Sequence, residues 1–184
     1  MPSEQDNAQP EASEILLENP GEFQIVYERY HLSVFRFIFG LHGGPVEDVE
    51  DLTTTTFLRA WKSRHRFQGN MKSVLGWLLK IARNLVIDHF RSRKNKAEPV
   101  DVEMHFIPIN ELSPEEKVYH NEQVNTLWQV LGKFPQKNRE MIVLRYILGW
   151  RVKAIGEYLS MNENNVSVSI RRTLKRIQDE WPNE

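Results

Sequence analysis

From residue 21 onward, apolar side chains recur in steps of three and four, the period of a helix with one buried face. Phe23, Val26, Tyr27, Tyr30, Val34, Phe37, Ile38 and Leu41 form the first stripe, and His42-Gly43-Gly44-Pro45 breaks it. A second stripe starts near Glu47 and runs through Val49, Leu52, Thr56, Phe57, Ala60 and Trp61 until Gly69-Asn70 interrupts. A third helix is predicted from about Ser73 to Arg93, with Trp77, Leu78, Ile81, Ala82, Leu85, Val86 and Phe90 inward. The period is then lost. Pro99, Pro108 and Pro114 punctuate an acidic stretch that reads as a linker, since so long a connection is unusual inside one compact domain. Ser113-Pro114-Glu115-Glu116 has the form of a helix start, with a cap, a proline and acids in the first turn. The helix it opens carries Val124, Leu127, Trp128 and Leu131. Another spans Asn138–Leu148, with Met141, Ile142, Leu144, Tyr146 and Ile147 as its apolar positions.

A short helix follows with Val152, Ile155, Tyr158 and Leu159, then the tight turn Ser160-Met161-Asn162. The last helix runs from Glu163 to about Trp181, capped by Asn162, with Val166, Ile170, Leu174 and Ile177 inward. A short helix, a tight turn and a longer helix with a basic tail make a helix-turn-helix. The predicted fold is all-α: two small helical domains joined by a flexible acidic linker, the second domain a helix-turn-helix. The boundaries are a disordered lead over 1–20, a first domain over 21–96, a linker over 97–117 and a second domain over 118–184.

The chain has 184 residues, 40% of them hydrophobic and 27% charged, which is ordinary for a soluble globular protein. It has no cysteine, which excludes disulfide scaffolds and thiolate zinc sites. No apolar run approaches a membrane span, and the polar, acidic N-terminus is unlike a secretory signal, so a cytoplasmic location without membrane insertion is expected. The net charge of −1 hides blocks of opposite sign. Residues 1–52 carry −9, residues 59–96 carry +10, residues 97–123 carry −6 and residues 124–184 carry +4. Such blocks suit partners of opposite charge, and the +10 stretch has the footprint of a polyanion-binding surface or of a solvated helix face.

Catalytic chemistry is missing from the pattern. No phosphate-binding loop, dinucleotide fingerprint, nucleophile elbow or zinc-protease motif occurs. The histidines at 31, 42, 65, 89, 105 and 120 include no pair at metal-ligand spacing on one helix. Neither an enzyme nor a metal or other cofactor is expected.

Three motifs, in order, resemble one family. Asp48-Val49-Glu50-Asp51-Leu52 followed by Phe57-Leu58-Arg59-Ala60-Trp61 is the first. The helix from Trp77 through Asn84 to Arg91 is the second. Phe134-Pro135, Arg139-Glu140 and Leu144-Arg145-Tyr146, with the terminal helix-turn-helix, are the third. Over about residues 22–180 the chain resembles bacterial RNA polymerase sigma factors of the extracytoplasmic-function group of the sigma-70 family. The resemblance implies a transcription initiation factor that binds core RNA polymerase through its largest subunits and directs it to promoter DNA. Residues 21–96 would then be a region-2-like domain and 118–184 a region-4-like domain.

The resemblance assigns core docking to Asp48, Glu50, Asp51 and Thr55. It places minus-ten recognition on Asn84, Arg83, His89, Arg91, Arg93 and Lys94, and minus-thirty-five recognition on Asn165, Ser167, Arg171, Arg172 and Lys175. The physics agrees in kind. Carboxylates at i and i+3 share a helix face, Arg and Lys supply phosphate contacts without sequence reading, and an asparagine amide can read a base edge. Simpler readings stand beside these: acids favoured by the helix dipole, a locally bonded Asn84, and Trp61 and Trp77 as core.

The chain departs from the family at three places. Serines stand at 167 and 169, where a basic residue is common, and Ser160 stands where glycine is common. Thr54-Thr55 replace a usual Gln-Glu within Thr53-Thr54-Thr55-Thr56. Thr55 and Thr54 are therefore candidate phosphorylation sites, because a phosphate on Thr55 would restore a charge four residues after Asp51. A Ser/Thr kinase and an anti-sigma factor follow as candidate partners. The rival reading is a stand-alone helix-turn-helix regulator that does not join core polymerase.

Overall fold

The computed structural model describes residue 17, residues 19–95, 126–127 and 130–181. Most of the expected lead, the linker and the helix opened by Ser113, including Val124 and Trp128, lie outside the described residues. Among the described residues there is no strand.

Helix α1 spans Pro20–His42. Asn19 caps it by accepting from the Gly21 amide at 2.9 Å, and Pro20 at the first position gives up no useful donor. Gly43 ends it in the left-handed region, with φ of 63°, where its amide donates to the Phe39 carbonyl. Helix α2 spans Val46–Ser63 and runs into a 3-10 turn, Arg64–Arg66. Helix α3 spans Met71–Asn95. Asn70 and Ser73 start it reciprocally: the Ser73 amide donates to Asn70 Oδ1 at 3.2 Å, and the Asn70 amide donates to Ser73 Oγ at 3.0 Å. These three helices pack on one another in every pairing.

Helix α4 spans Gln136–Ile142 and continues as a π-helical turn, Val143–Ile147. Helix α5 spans Val152–Leu159 and α6 spans Glu163–Glu180. Asn162 caps α6 by accepting from the Asn164 amide at 2.8 Å, as the sequence predicts. The connecting turn is held by the Met161 amide donating to the Gly156 carbonyl at 2.8 Å.

The predicted stripes are largely the buried ones. Val26, Val34, Phe37, Ile38 and Leu41 of α1 meet Val49, Leu52, Phe57 and Ala60 of α2 and Leu78, Ala82, Leu85 and Val86 of α3. Trp77 is half-buried against Phe67, and Trp61 is half-buried at the rim beside Phe23. Two residues of the expected stripes, Tyr27 and Leu174, are exposed instead, and so are two apolar positions of the expected Asn138–Leu148 helix, Tyr146 and Ile147. Tyr27 lies at the rim with its ring edge on Phe57. The π turn explains Tyr146 and Ile147, because its wider i→i+5 spacing rotates the following side chains off the α-helical stripe. On α6 the inward place beside Ile170 is taken by Thr173, whose hydroxyl donates to the Ser169 carbonyl and accepts from Asn138 Nδ2, each at 2.8 Å.

The largest surprise is a second buried face on α1. Gly40 faces the π turn, where an added Cβ would lie 2.5 Å from Val143 Cγ2, and Phe39 beside it is buried as well. Met141, Ile142, Val143 and Leu144 thereby join the same apolar cluster as the α1–α3 core. The two groups of helices are packed together in this structure. A helical period identifies one buried stripe per helix and carries no sign of a second one made late in α1.

Candidate nucleic-acid and polymerase interfaces

The acidic start of α2 divides in two. Glu50 and Asp51 are exposed. Asp48 is drawn inward, with Oδ2 3.3 Å from Arg93 Nη1, 3.8 Å from His89 Nε2 and 4.0 Å from His42 Nε2. Burial, then the neighbouring His89, lowers the His42 pKa to about 4, so its ring is neutral at pH 7. The threonine run divides likewise. Thr53 and Thr56 are buried and donate to the carbonyls of Val49 and Leu52 at 2.7 Å, while Thr54 is exposed and Thr55 half-buried. Thr54 and Glu50 line a shallow depression with His31, Leu32 and Phe35 of α1, and Leu32 and Leu58 are both at least half exposed. Acids and bare apolar side chains therefore lie together on the outer face of α1 and α2.

On α3, Lys80, Asn84 and Arg91 are exposed at spacings that keep them on one stripe, with Asp88 among them. His89 and Arg93 face Asp48. Arg83 points the other way, where its Nε donates to Glu140 Oε2 of α4 at 2.9 Å. The side chain of Lys94 lies outside the described residues. A cleft of about 830 Å³ opens beside the start of α3, lined by Phe67, Trp77 and Lys80 on one wall and by Trp150, Arg151 and Tyr158 on the other.

On α6, Asn165, Ser167, Arg171, Arg172 and Lys175 are all exposed. Ser167, Arg171 and Lys175 climb one face in four-residue steps. Arg176, by contrast, lies over the Phe134 ring and pairs with Glu180.

Two groups matter that the sequence did not single out. Glu140 is fully buried, and desolvation raises its pKa against the opposing pull of Arg83. The Tyr158 hydroxyl lies beside this carboxylate and can donate to it, and burial with the adjacent carboxylate holds the phenol protonated. His42 is the second. The signal for both was weak: a polar residue inside an otherwise apolar run, whose fate depends on what packs from outside its own helix.

Two family models match the chain. The family model for sigma-70 region 2 matches residues 26–96, and that for sigma-70 region 4 matches residues 125–177. The chain is 31% identical over 158 residues to the ECF RNA polymerase sigma factor SigW of Bacillus subtilis, covering 82% of this chain and 83% of that one. It is 29% identical over 163 residues to SigX, an ECF RNA polymerase sigma factor of the same organism, covering 85% and 81%. Among solved structures, the sigma factor RpoE of Bartonella quintana, in complex with the anti-sigma factor NepR, superposes with a TM-score of 0.68. That match has 19% identity and covers 86% of this chain and 96% of that one.

Proposed function

The chain belongs to the extracytoplasmic-function group of the sigma-70 family, and from that premise we propose how its surfaces divide the work of promoter-specific transcription initiation. It is a non-enzymatic initiation factor, and its place is the cytoplasm with the polymerase and the promoter. The outer face of α1 and α2 docks core polymerase. Glu50 and Asp51 offer charge, with Asp48 and Thr55 beside them, and Leu32 and Leu58 offer apolar area that a partner would cover.

Helix α3 serves the minus-ten element. Asn84 holds an unstacked base, and Arg91, with Lys94 and Arg93, contacts phosphates. Arg83 and His89 join once released from Glu140 and Asp48. Phe67, Trp77 and Lys80, which line one wall of the cleft beside α3, offer aromatic and cationic contacts that suit an unstacked base once the two groups of helices part. Helix α6 enters the major groove N-terminus first, with Asn165 and Ser167 near base edges and Arg171, Arg172 and Lys175 on the backbone.

The observation that carries this reading is the undivided free face of α6, where all five assigned residues are exposed above a capped N-terminus. Distance supplies the rest. Elements centred 25 base pairs apart lie about 85 Å from one another, far beyond a closed helical cluster. A 97–117 linker can extend to about 70 Å. Reading both elements at once therefore requires the two helix groups to part, which breaks the Arg83–Glu140 contact and bares Gly40 and Val143. A protein that binds the closed form, as an anti-sigma factor, would hold the chain inactive. Phosphorylation of Thr55 by a Ser/Thr kinase would add charge to the docking face beside Asp51.

Gel filtration with bacterial core RNA polymerase at near-physiological salt tests the reading. The chain is expected to co-elute and to confer promoter-specific transcription, and Glu50→Lys with Asp51→Lys to abolish both. A chain that binds promoter duplex and never joins the polymerase is instead a stand-alone regulator. A Thr55→Glu protein that alone co-elutes makes the threonine run a switch.

A further inference from the structure

Three helix ends converge on one carboxylate oxygen. Asp48 Oδ2, in the first turn of α2, lies 4.0 Å from Nε2 of His42 at the end of α1 and 3.8 Å from Nε2 of His89 on α3. The three donor atoms all lie within 4.8 Å of one another. The His42 side chain is only 1% exposed, and neither of its nitrogens has a hydrogen-bond partner; nor has His89 Nε2. Buried polar atoms are normally satisfied, so this arrangement calls for a missing ligand. We propose that His42, Asp48 and His89 form a binding site for a single divalent cation of the zinc class, one that stitches the ends of α1, α2 and α3 together.

The chemistry of the donors selects that class. Two imidazoles and one carboxylate suit Zn²⁺, Co²⁺ or Ni²⁺, whereas Mg²⁺ and Ca²⁺ prefer oxygen alone. Tetrahedral bonds of about 2.0–2.1 Å place ligand atoms about 3.3 Å apart, so the Asp48 oxygen must close on each imidazole by about 0.5–0.7 Å and the two imidazole nitrogens on one another by up to about 1.5 Å, a movement within reach of side-chain rotation. The Asp48 and His89 side chains are 33% and 25% exposed, leaving a side open for a water as fourth ligand. The His42 ring is buried, with Nε2 turned toward Asp48 and without a hydrogen-bond partner. It is fixed as well. Phe90 stacks on one face with centroids 5.1 Å apart, and a Cβ added at Gly44 would lie 2.5 Å from His42 Cε1. The ring thus has little room to turn away from Asp48.

One group opposes the cation. Arg93 Nη1 lies 3.3 Å from the same Asp48 oxygen, and its charge also bears on His42, as does that of Arg139. Arg93 sits near the end of α3 with 25% of its side chain exposed, so it can swing into solvent when a cation arrives. Guanidinium and metal are alternatives for one carboxylate. Removing Arg93 should therefore tighten metal binding, whereas removing a ligand should weaken it.

The test uses the full-length chain, stripped of metal and titrated with Co²⁺, then Zn²⁺, without polymerase or DNA, so it is independent of the proposed function. Expected are one Co²⁺ per chain, the intense visible absorption of a tetrahedral site, displacement by Zn²⁺, and a higher melting temperature with Zn²⁺ present. His89→Gln should lower affinity at least about tenfold, and so should His42→Gln. His89→Gln carries the test if the buried His42 variant does not fold. Arg93→Gln should raise affinity, and His65→Gln, at an exposed histidine elsewhere, should leave it unchanged. Absence of saturable binding, an octahedral Co²⁺ spectrum, or binding that persists in His89→Gln overturns the proposal and leaves an ordered water among the three groups.

Discussion

Helices α3 and α6 both carry the cations that a promoter-binding surface needs, yet they hold them differently. On α3, Arg83 is bonded to Glu140 and Arg93 to Asp48. On α6, Arg171, Arg172 and Lys175 are exposed and take part in no ion pair among the described residues. The charge blocks rank the two the other way, with +10 over residues 59–96 and +4 over 124–184. Charge counted along a chain is not charge available to a phosphate. What decides availability is whether a carboxylate lies within reach across the fold, and Asp48 and Glu140 lie in reach of α3.

The sharpest way to break the comparison is to remove the cation that is most engaged. Arg83→Ala leaves the buried Glu140 without its partner, at a cost of about 2–3 kcal/mol, toward the lower end for a buried pair because Arg83 is itself 37% exposed. Urea unfolding measures it. The pH dependence has a definite sign. Desolvation raises the Glu140 pKa in the closed form, so that form binds the proton more tightly than the opened or unfolded chain. Its contribution is full below the ordinary glutamate range and is lost as pH rises through the raised value. Arg83→Ala removes the opposing pull, so the loss should become larger and reach higher pH. Equal stability of the variant and the wild type at all pH values would show that the pair is not what joins the helix groups.

Gly40→Ala tests the same contact without touching charge. The new methyl group meets Val143 at 2.5 Å, and an overlap of that kind costs about 1–3 kcal/mol. Alanine is also the better helix former by up to about 1 kcal/mol, so α1 itself gains. The expected outcome is a loosened junction over an intact α1–α3 bundle. Hydrogen exchange would read it as faster exchange confined to α4 and the π turn.

How far the sequence could be read follows from these same residues. Period, caps and breakers act within a few residues, so α1, α2, α3 and the α5–turn–α6 unit were legible, down to Asn162 as a cap. The π turn was not, because nothing in Val143–Ile147 distinguishes it from an ordinary apolar turn, and the exposure of Tyr146 and Ile147 has no sign in their apolar character. The candidate site was legible as residue types: exposed Glu50, Asp51, Asn84 and Arg171 are where a partner could reach them. Its internal pairings were not. Asp48 with His42 and His89 joins three helices, and spacing along one helix is blind to that.

DNA affinity measured against salt compares the two helices directly. Each phosphate contact removed should flatten the slope of log K against log salt by about one. Arg171→Ala with Arg172→Ala should flatten it by about two, and Arg91→Ala by about one. For binding by the free, closed chain, Arg83→Ala should leave the slope unchanged. A drop of about one with Arg83→Ala would mean that the arginine contacts phosphate even with Glu140 beside it, and the contrast between α3 and α6 would fail.

The smallest effect concerns what holds α6 in place. Ser160 sits between α5 and α6 in the left-handed region, with φ of 54°, the only described non-glycine residue there. That conformation crowds a Cβ, and glycine adopts it freely. Gly156 on the other side of the turn is constrained differently, since a Cβ there would lie 2.7 Å from the Met161 carbonyl oxygen. Ser160→Gly should therefore stabilise the chain by about 0.5–1 kcal/mol, net of the extra freedom glycine gives the unfolded state. The salt slope should not move, because no phosphate-facing residue has changed. A thermal melt reads the first and the DNA titration the second. If the slope steepens along with the stability, the serine had been holding α6 slightly out of position, and the free face of α6 would owe part of its character to a strained turn.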